Sequence, residues 1–133
     1  MRIRKFSNLV FLWLHRAFNA DIRKNVEERN KRFLEEALEL VQSCGMNVYE
    51  ARAILSYVYD SKSVGKPYQE IGGVMITLSA LCHAMGLDLE DAAKCELLRV
   101  GFCTREIQEK QETKAAAGVG MSLYDKNPSP ASL

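Results

Sequence analysis

Apolar residues along this chain recur at three- and four-residue intervals, and no run alternates apolar with polar in the manner of a half-buried strand. The spacing predicts a first short helix over 9–18 (LVFLWLHRAF), packing Trp13 and Phe18 onto the rest, and a connector over 21–24. A helix over 26–44 follows. Asn25 with Glu28 three residues on is a capping-box pattern that opens it, and Gly45 suits the position just after its end. Asn47 with Glu50 repeats the opening signal, and the helix it starts places Val48, Ala51, Ile54, Leu55 and Val58 inward. After a polar loop over 60–66, Pro67 suits the first position of a helix over 67–85.

That helix is the least ordinary one. From Ile71 to Leu87 the sequence has no formally charged side chain. Ile71, Val74, Met75, Leu78, Leu81, Cys82 and Met85 form one apolar face, and Gly73, Thr77, Ala80 and Ala84 a second face of small residues. A helix without a clearly solvated face is expected to be buried, at a bundle centre or in a subunit interface. Gly72 and Gly73 each cost about 1 kcal/mol of helix propensity relative to Ala, which close approach of another backbone would explain. Asp88 with Asp91 then opens a last helix over about 89–113, with Leu89, Ala93, Leu97, Val100 and Ile107 inside and Arg99, Arg105 and Lys110 on its polar side. From 115 the pattern dissolves, and the tail over 115–133, ending NPSPASL, is expected to be mobile. The expectation is therefore an all-α bundle in one domain over 1-114.

Length and composition narrow the function classes. A chain of 133 residues suits one domain with a real core. A formal net charge of +1 gives no support to nucleic-acid binding by bulk charge, so no nucleic-acid partner is expected. Cys44, Cys82, Cys95 and Cys103 form no C-x-x-C pair, and with only His15 and His83 beside them a structural zinc site is not expected. Free thiols in apolar stretches fit a reducing compartment, most simply the cytoplasm. Near the N-terminus, the apolar run 9–14 is cut by His15 and Arg16, too short for a signal peptide core, and no stretch reads as a membrane span. No phosphate-binding G-x-x-x-x-G-K-[ST] loop is present. Cys82 and His83 are adjacent on a helix and so diverge, which makes them core residues and not a nucleophile–base pair.

One stretch carries candidate chemistry. In R-N-K-R-F-L-E-E-A-L-E-L, residues 29–40, Glu35 and Glu39 are i,i+4 neighbours and Glu36 and Glu39 are i,i+3 neighbours. Such pairs lie roughly 5–6 Å apart at Cβ. Phe33, Ala37, Leu40, Val41 and Cys44 mark the opposite, core side. A solvated acidic face is the bland explanation. Against it, no Lys or Arg follows four residues after any of the three glutamates, and Arg29 and Arg32 lie upstream, the poorer orientation. The cluster reads as underpaired within its own helix, and a hard cation that takes oxygen ligands, such as Mg²⁺, would relieve it.

The E-E-x-x-E helix, followed after a gap by a buried helix opening with an E-x-x-D-like motif, resembles the MazG-like nucleoside triphosphate pyrophosphohydrolases. More closely, R-N-K-R-F-L-E-E-A-L-E-L-V-Q with Q-E-I-G-G-V-M-I-T-L-S-A-L-C is similar to small MazG-like proteins of phages and prophages, over about 26–114. The resemblance implies an all-α bundle that forms a homodimer or homotetramer. It also implies Mg²⁺ (or Mn²⁺) on the acidic helices, and hydrolysis of an NTP or dNTP to the monophosphate and pyrophosphate. By position it implies Glu36, Glu39 and Glu70 as metal ligands, and Glu35 as the residue that holds a second metal or orients the attacking water. The family's phosphate-binding side chains do not map cleanly onto the last helix; Arg99 and Lys110 are the candidates there for the substrate phosphates, with a solvated cationic face as the alternative for each.

One position departs from the motif: Gly73 stands where E-x-x-D needs Asp. Water could fill the place, Asp91 or Glu96 could substitute, or catalysis could be lost. The alternative function is then a non-catalytic helical module that binds a nucleotide or protein partner and dimerises through the Gly73/Thr77/Ala80/Ala84 face. A structural protein with an incidental acidic face ranks last. Convergence of Glu35, Glu36, Glu39 and Glu70 around one cation is the feature that separates the enzyme from the others.

Overall fold

The computed structural model describes residues 2–124. Among them are seven helices and no strand: α1 (Ile3–Ala17), α2 (Ala20–Lys24), α3 (Val26–Ser43), α4 (Val48–Ser61), α5 (Pro67–Met85), α6 (Leu89–Phe102) and α7 (Thr104–Ala116). The all-α class is as expected, and the start signals work as their chemistry requires. Asn25 Oδ1 accepts the Glu28 N–H at 2.8 Å, Asn47 Oδ1 the Glu50 N–H at 2.9 Å, and Asp88 Oδ1 the Asp91 N–H at 2.7 Å, each satisfying a donor that the first helical turn leaves free. Gly45 and Gly86 follow α3 and α5 with φ of 94° and 68°, the left-handed region where a side chain would be strained.

Three elements differ from expectation. The first helix spans Ile3–Ala17 in place of the expected 9–18. The connector over 21–24 is helical, because Asn19 Oδ1 accepts the Ile22 N–H at 3.0 Å and Ile22 is fully buried. The single helix expected over 89–113 breaks at Cys103, whose ψ of 24° leaves the helical path. An uninterrupted helix would give the Val100 carbonyl to the Thr104 N–H. Here that carbonyl accepts from the Thr104 hydroxyl at 3.0 Å and from the Trp13 indole at 3.2 Å, next to Gly101, a weak helix former.

The chain forms two compact units: Met1–Glu35 with Lys94–Leu133, and Glu36–Ala93. The boundary falls inside α3. In the first unit Ala17, Phe18 and Ile22 form the core, with Trp13, Leu14, Ile107, Met121 and Leu123 packed on it. Trp13 meets Phe18 edge-on at 5.8 Å, and the Arg29 guanidinium lies 5.6 Å from the Phe18 ring centre. Residues of the tail expected to be mobile are held here: 115 and 116 end α7, Met121 donates its N–H to Glu28, and Leu123 N–H and Ser122 Oγ donate to Glu112. Residues 125–133 of that tail lie outside the described residues.

In the second unit α5 buries Cys82 and half-buries Leu78, Leu81 and Met85, and the Cys44 thiol lies 3.1 Å from Met85 Sδ. The rest of the expected burial is not met. Val48, Ile54, Leu55 and Val58 of α4 are exposed, as are Ile71, Val74, Met75 and Ile76 of α5. The physical reason is that, among the described residues, neither helix packs along its length against another helix of its own unit. A Cβ added at Gly72 or Gly73 would meet nothing within 4 Å, so the close backbone approach expected there is absent among the described residues.

Candidate functional site

The acids of α3 divide into those with a cation partner and those without. Glu27 pairs with Lys31 at 3.2 Å, one turn on. Glu28 is 1 % exposed and sits in a built network: Arg32 Nε lies 3.3 Å from Oε1, Gln111 Nε2 donates to Oε1 at 2.8 Å, and the Met121 N–H donates to Oε2 at 3.0 Å. Burial pulls the Arg29 guanidinium below its usual pKa, and Arg32 adds to this while Glu28 opposes it.

Glu35 corrects one expectation. It is half-buried and is answered twice, by Arg32 Nη1 and by Lys114 Nζ at 3.1 Å. The upstream arginine does reach it, and α7 supplies a second cation that the spacing along one helix could not reveal. Glu36 and Glu39, one turn apart and exposed, have no ion pair or hydrogen bond among the described residues. For these two the underpaired reading stands.

The remaining candidates are placed as follows. Glu70 is exposed in the first turn of α5, with its carboxylate folded over Gly65, where a Cβ would meet Oε1 at 1.9 Å. Within its unit it does not join Glu36 and Glu39: among the described residues no three His, Cys, Asp or Glu side chains gather to hold a metal. Asp91 donates its backbone N–H to the capping Asp88 carboxylate, and its own side chain is exposed.

Glu96, the other possible substitute, is gripped by Arg99, whose Nε donates to Oε2 at 2.8 Å and Nη2 to Oε1 at 2.5 Å. The hydrogen bond from Arg99 holds the Glu96 carboxyl below its usual value, and the same bond raises the guanidinium. Both are exposed, so the pair competes directly with any phosphate assigned to Arg99. Carbon-13 NMR of the Glu96 carboxyl is expected to titrate below the ordinary carboxylate range and to return to that range in Arg99→Ala. The sign follows from linkage: a depressed folded pKa gives stabilisation that is present above the unfolded pKa and lost as pH falls through the folded one. An unshifted Glu96 in the parent would remove this pairing. Lys110 is exposed on α7 with no partner among the described residues.

Glu28 is the residue that sequence reasoning undervalued. Its capping position was legible, but its burial depends on Gln111 and Met121, 83 and 93 residues away. A cleft of about 570 Å³ is lined by Arg105, Gln108, Glu109, Glu112 and Tyr124, none of them a candidate from the sequence. No protein-family model, characterised protein or solved structure matches the chain.

Proposed function

We propose that the chain is a Mg²⁺-dependent nucleoside triphosphate pyrophosphohydrolase of the MazG-like kind, with Glu36 and Glu39 as its working carboxylates. One observation carries the reading: Glu27, Glu28 and Glu35 of α3 each have a cation partner, and Glu36 and Glu39 have none among the described residues. Two like charges one turn apart destabilise a helix by about 0.2–0.5 kcal/mol, and no side chain among the described residues offsets that. The donor set is hard oxygen, and Mg²⁺ commonly takes only one or two carboxylates, filling its other positions with water and substrate phosphates. Mn²⁺ suits the same donors.

When bound, the ion would neutralise the triphosphate. Glu36 and Glu39 would hold it; water would form a bond to the α-phosphorus as the α–β bridging bond breaks, its proton passing to solvent and pyrophosphate leaving. For Glu35 to orient that water it must release Arg32 and Lys114. Glu70 and the Arg99 and Lys110 phosphate contacts belong to the same reading as secondary parts. Free Cys44, Cys82, Cys95 and Cys103 accord with a reducing, cytoplasmic setting. No single helix among the described residues is long and apolar enough to cross a membrane.

The test is pyrophosphate release from a panel of NTPs and dNTPs with Mg²⁺ or Mn²⁺. Monophosphate and pyrophosphate in equal amounts are expected. Diphosphate and phosphate, or no turnover from folded protein, would reject the reading.

Gly73 provides a second handle. A side chain there enters open space on a helical backbone, so Gly73→Asp is expected to fold with about 0.3 kcal/mol of relieved helix penalty and to bind Mn²⁺ more tightly. Weaker Mn²⁺ binding by this variant would count against an E-x-x-D role for residues 70–73.

The alternative, a non-catalytic module for a nucleotide or protein partner, is favoured by the absence of three gathered metal-capable side chains among the described residues. Calorimetry that detects nucleotide binding without turnover, or no binding, would select it.

A further inference from the structure

We propose that the outer face of α1 docks on an anionic phospholipid bilayer, lying along the membrane surface without crossing it. The sequence sets the charge. From Arg2 to Ala20 the chain carries Arg2, Arg4, Lys5 and Arg16 and no Asp or Glu; Asp21 is the first acid. Arg4, Lys5 and Arg16 are exposed and have no ion pair among the described residues.

Helical geometry then divides α1 into two faces. The inner one is committed to the first unit: Ala17 is in its core, Trp13 and Leu14 pack on it, and the Trp13 indole donates to the Val100 carbonyl at 3.2 Å. On the other side Lys5, Leu9, Leu12 and Arg16 follow at helical intervals and form one stripe. Arg4, Phe11 and His15 run beside it, the Phe11 and His15 rings meeting edge-on at 4.4 Å. Phe11 is 57 % exposed and Leu12 58 %. The outer face therefore holds bulky apolar side chains in mid-helix, with cations toward both ends.

Charge complementarity selects an anionic partner, and the exposed Phe11 and Leu12 select one with an apolar layer beneath its charges. A bilayer has both: the cations meet lipid phosphates while the apolar side chains enter the boundary between headgroups and acyl chains. A nucleic acid would answer the cations and leave Phe11 and Leu12 without an apolar contact. No single helix among the described residues is long and apolar enough to cross a membrane, so the contact is at the surface. This inference is independent of the hydrolase reading and survives its failure.

The full chain is mixed with vesicles of phosphatidylcholine alone or of an equal mixture with phosphatidylglycerol, and the bound fraction is read by co-sedimentation. Binding to the mixed vesicles only is expected, weakened at about 1 M salt, where charges are screened beyond about 3 Å. Phe11→Ser/Leu12→Ser is expected to lower the partition at least about tenfold, and Arg4→Gln/Lys5→Gln/Arg16→Gln about 100-fold. All five side chains are exposed, so both variants are expected to keep the parent's helix content by circular dichroism. Val64→Ser, fully exposed in the loop before α5, is expected to bind as the parent does. Trp13, the one tryptophan, is expected to keep its emission maximum on the vesicles, because the inner face stays in place. Four results would overturn the inference. The folded parent could ignore the mixed vesicles, or bind phosphatidylcholine alone equally well. Either multiple variant could bind as the parent does. A shifted Trp13 emission on binding would mean that α1 leaves its core and uses its inner face.

Discussion

Replacing Glu36 and Glu39 together by glutamine is expected to lower kcat/KM for pyrophosphate release by at least about 100-fold, since a phosphate-bound cation is worth several kcal/mol to such a transition state and each 1.36 kcal/mol is tenfold. The same double variant is expected to fold at least as well as the parent. Both side chains are exposed and have no partner among the described residues, so no contact is lost, and removing their repulsion returns about 0.2–0.5 kcal/mol. Glu27→Gln serves as the control: it removes an acid from the same helix, but one already paired with Lys31, and full activity is expected. Parent-like turnover in the double variant would end the assignment of these two residues. Loss of turnover with an equal loss of helix content would show a folding effect instead.

Glu28→Ala is expected to cost about 3 kcal/mol of unfolding free energy, read from the denaturant midpoint at fixed protein concentration. Breaking a buried ion pair by deleting one partner typically costs about 3–5 kcal/mol; the low end applies because Arg32 keeps its contact with Glu35. What the deletion strands is specific: the Gln111 amide and the Met121 N–H lose their acceptor inside the first unit. Beside it, Glu27→Ala is expected to cost no more than about 0.5 kcal/mol, the usual worth of an exposed i,i+4 pair. A difference of under about 1 kcal/mol between the two variants would mean that the Glu28 network does not hold the 118–124 segment in solution.

These two predictions concern glutamates that look alike in sequence, which shows where sequence reading reached its limit. The helices were legible because their signals are local: Asn25, Asn47 and Asp88 each cap the helix that follows, and Gly45 and Gly86 each end one. The break at Cys103 was not, because it depends on Trp13, 87 residues from the Val100 carbonyl it binds. Charge pairing divides the same way. The i,i+4 partner of Glu27 could be read from spacing, whereas Lys114 reaching Glu35 and Gln111 reaching Glu28 are tertiary contacts. Periodicity gave the inward faces of α4 and α5 but was silent on what they turn toward, since a helix that faces a core and one that faces another subunit carry the same pattern.

The most direct test of the central claim is Mn²⁺ binding by electron paramagnetic resonance, with and without a non-hydrolysable nucleoside triphosphate analogue, in the parent and in the Glu36→Gln/Glu39→Gln variant. The account predicts that the parent removes free Mn²⁺ signal, most strongly with the nucleotide present, and that the variant leaves the signal at its nucleotide-only level. Equal Mn²⁺ uptake by both proteins, or none by the folded parent, would contradict it.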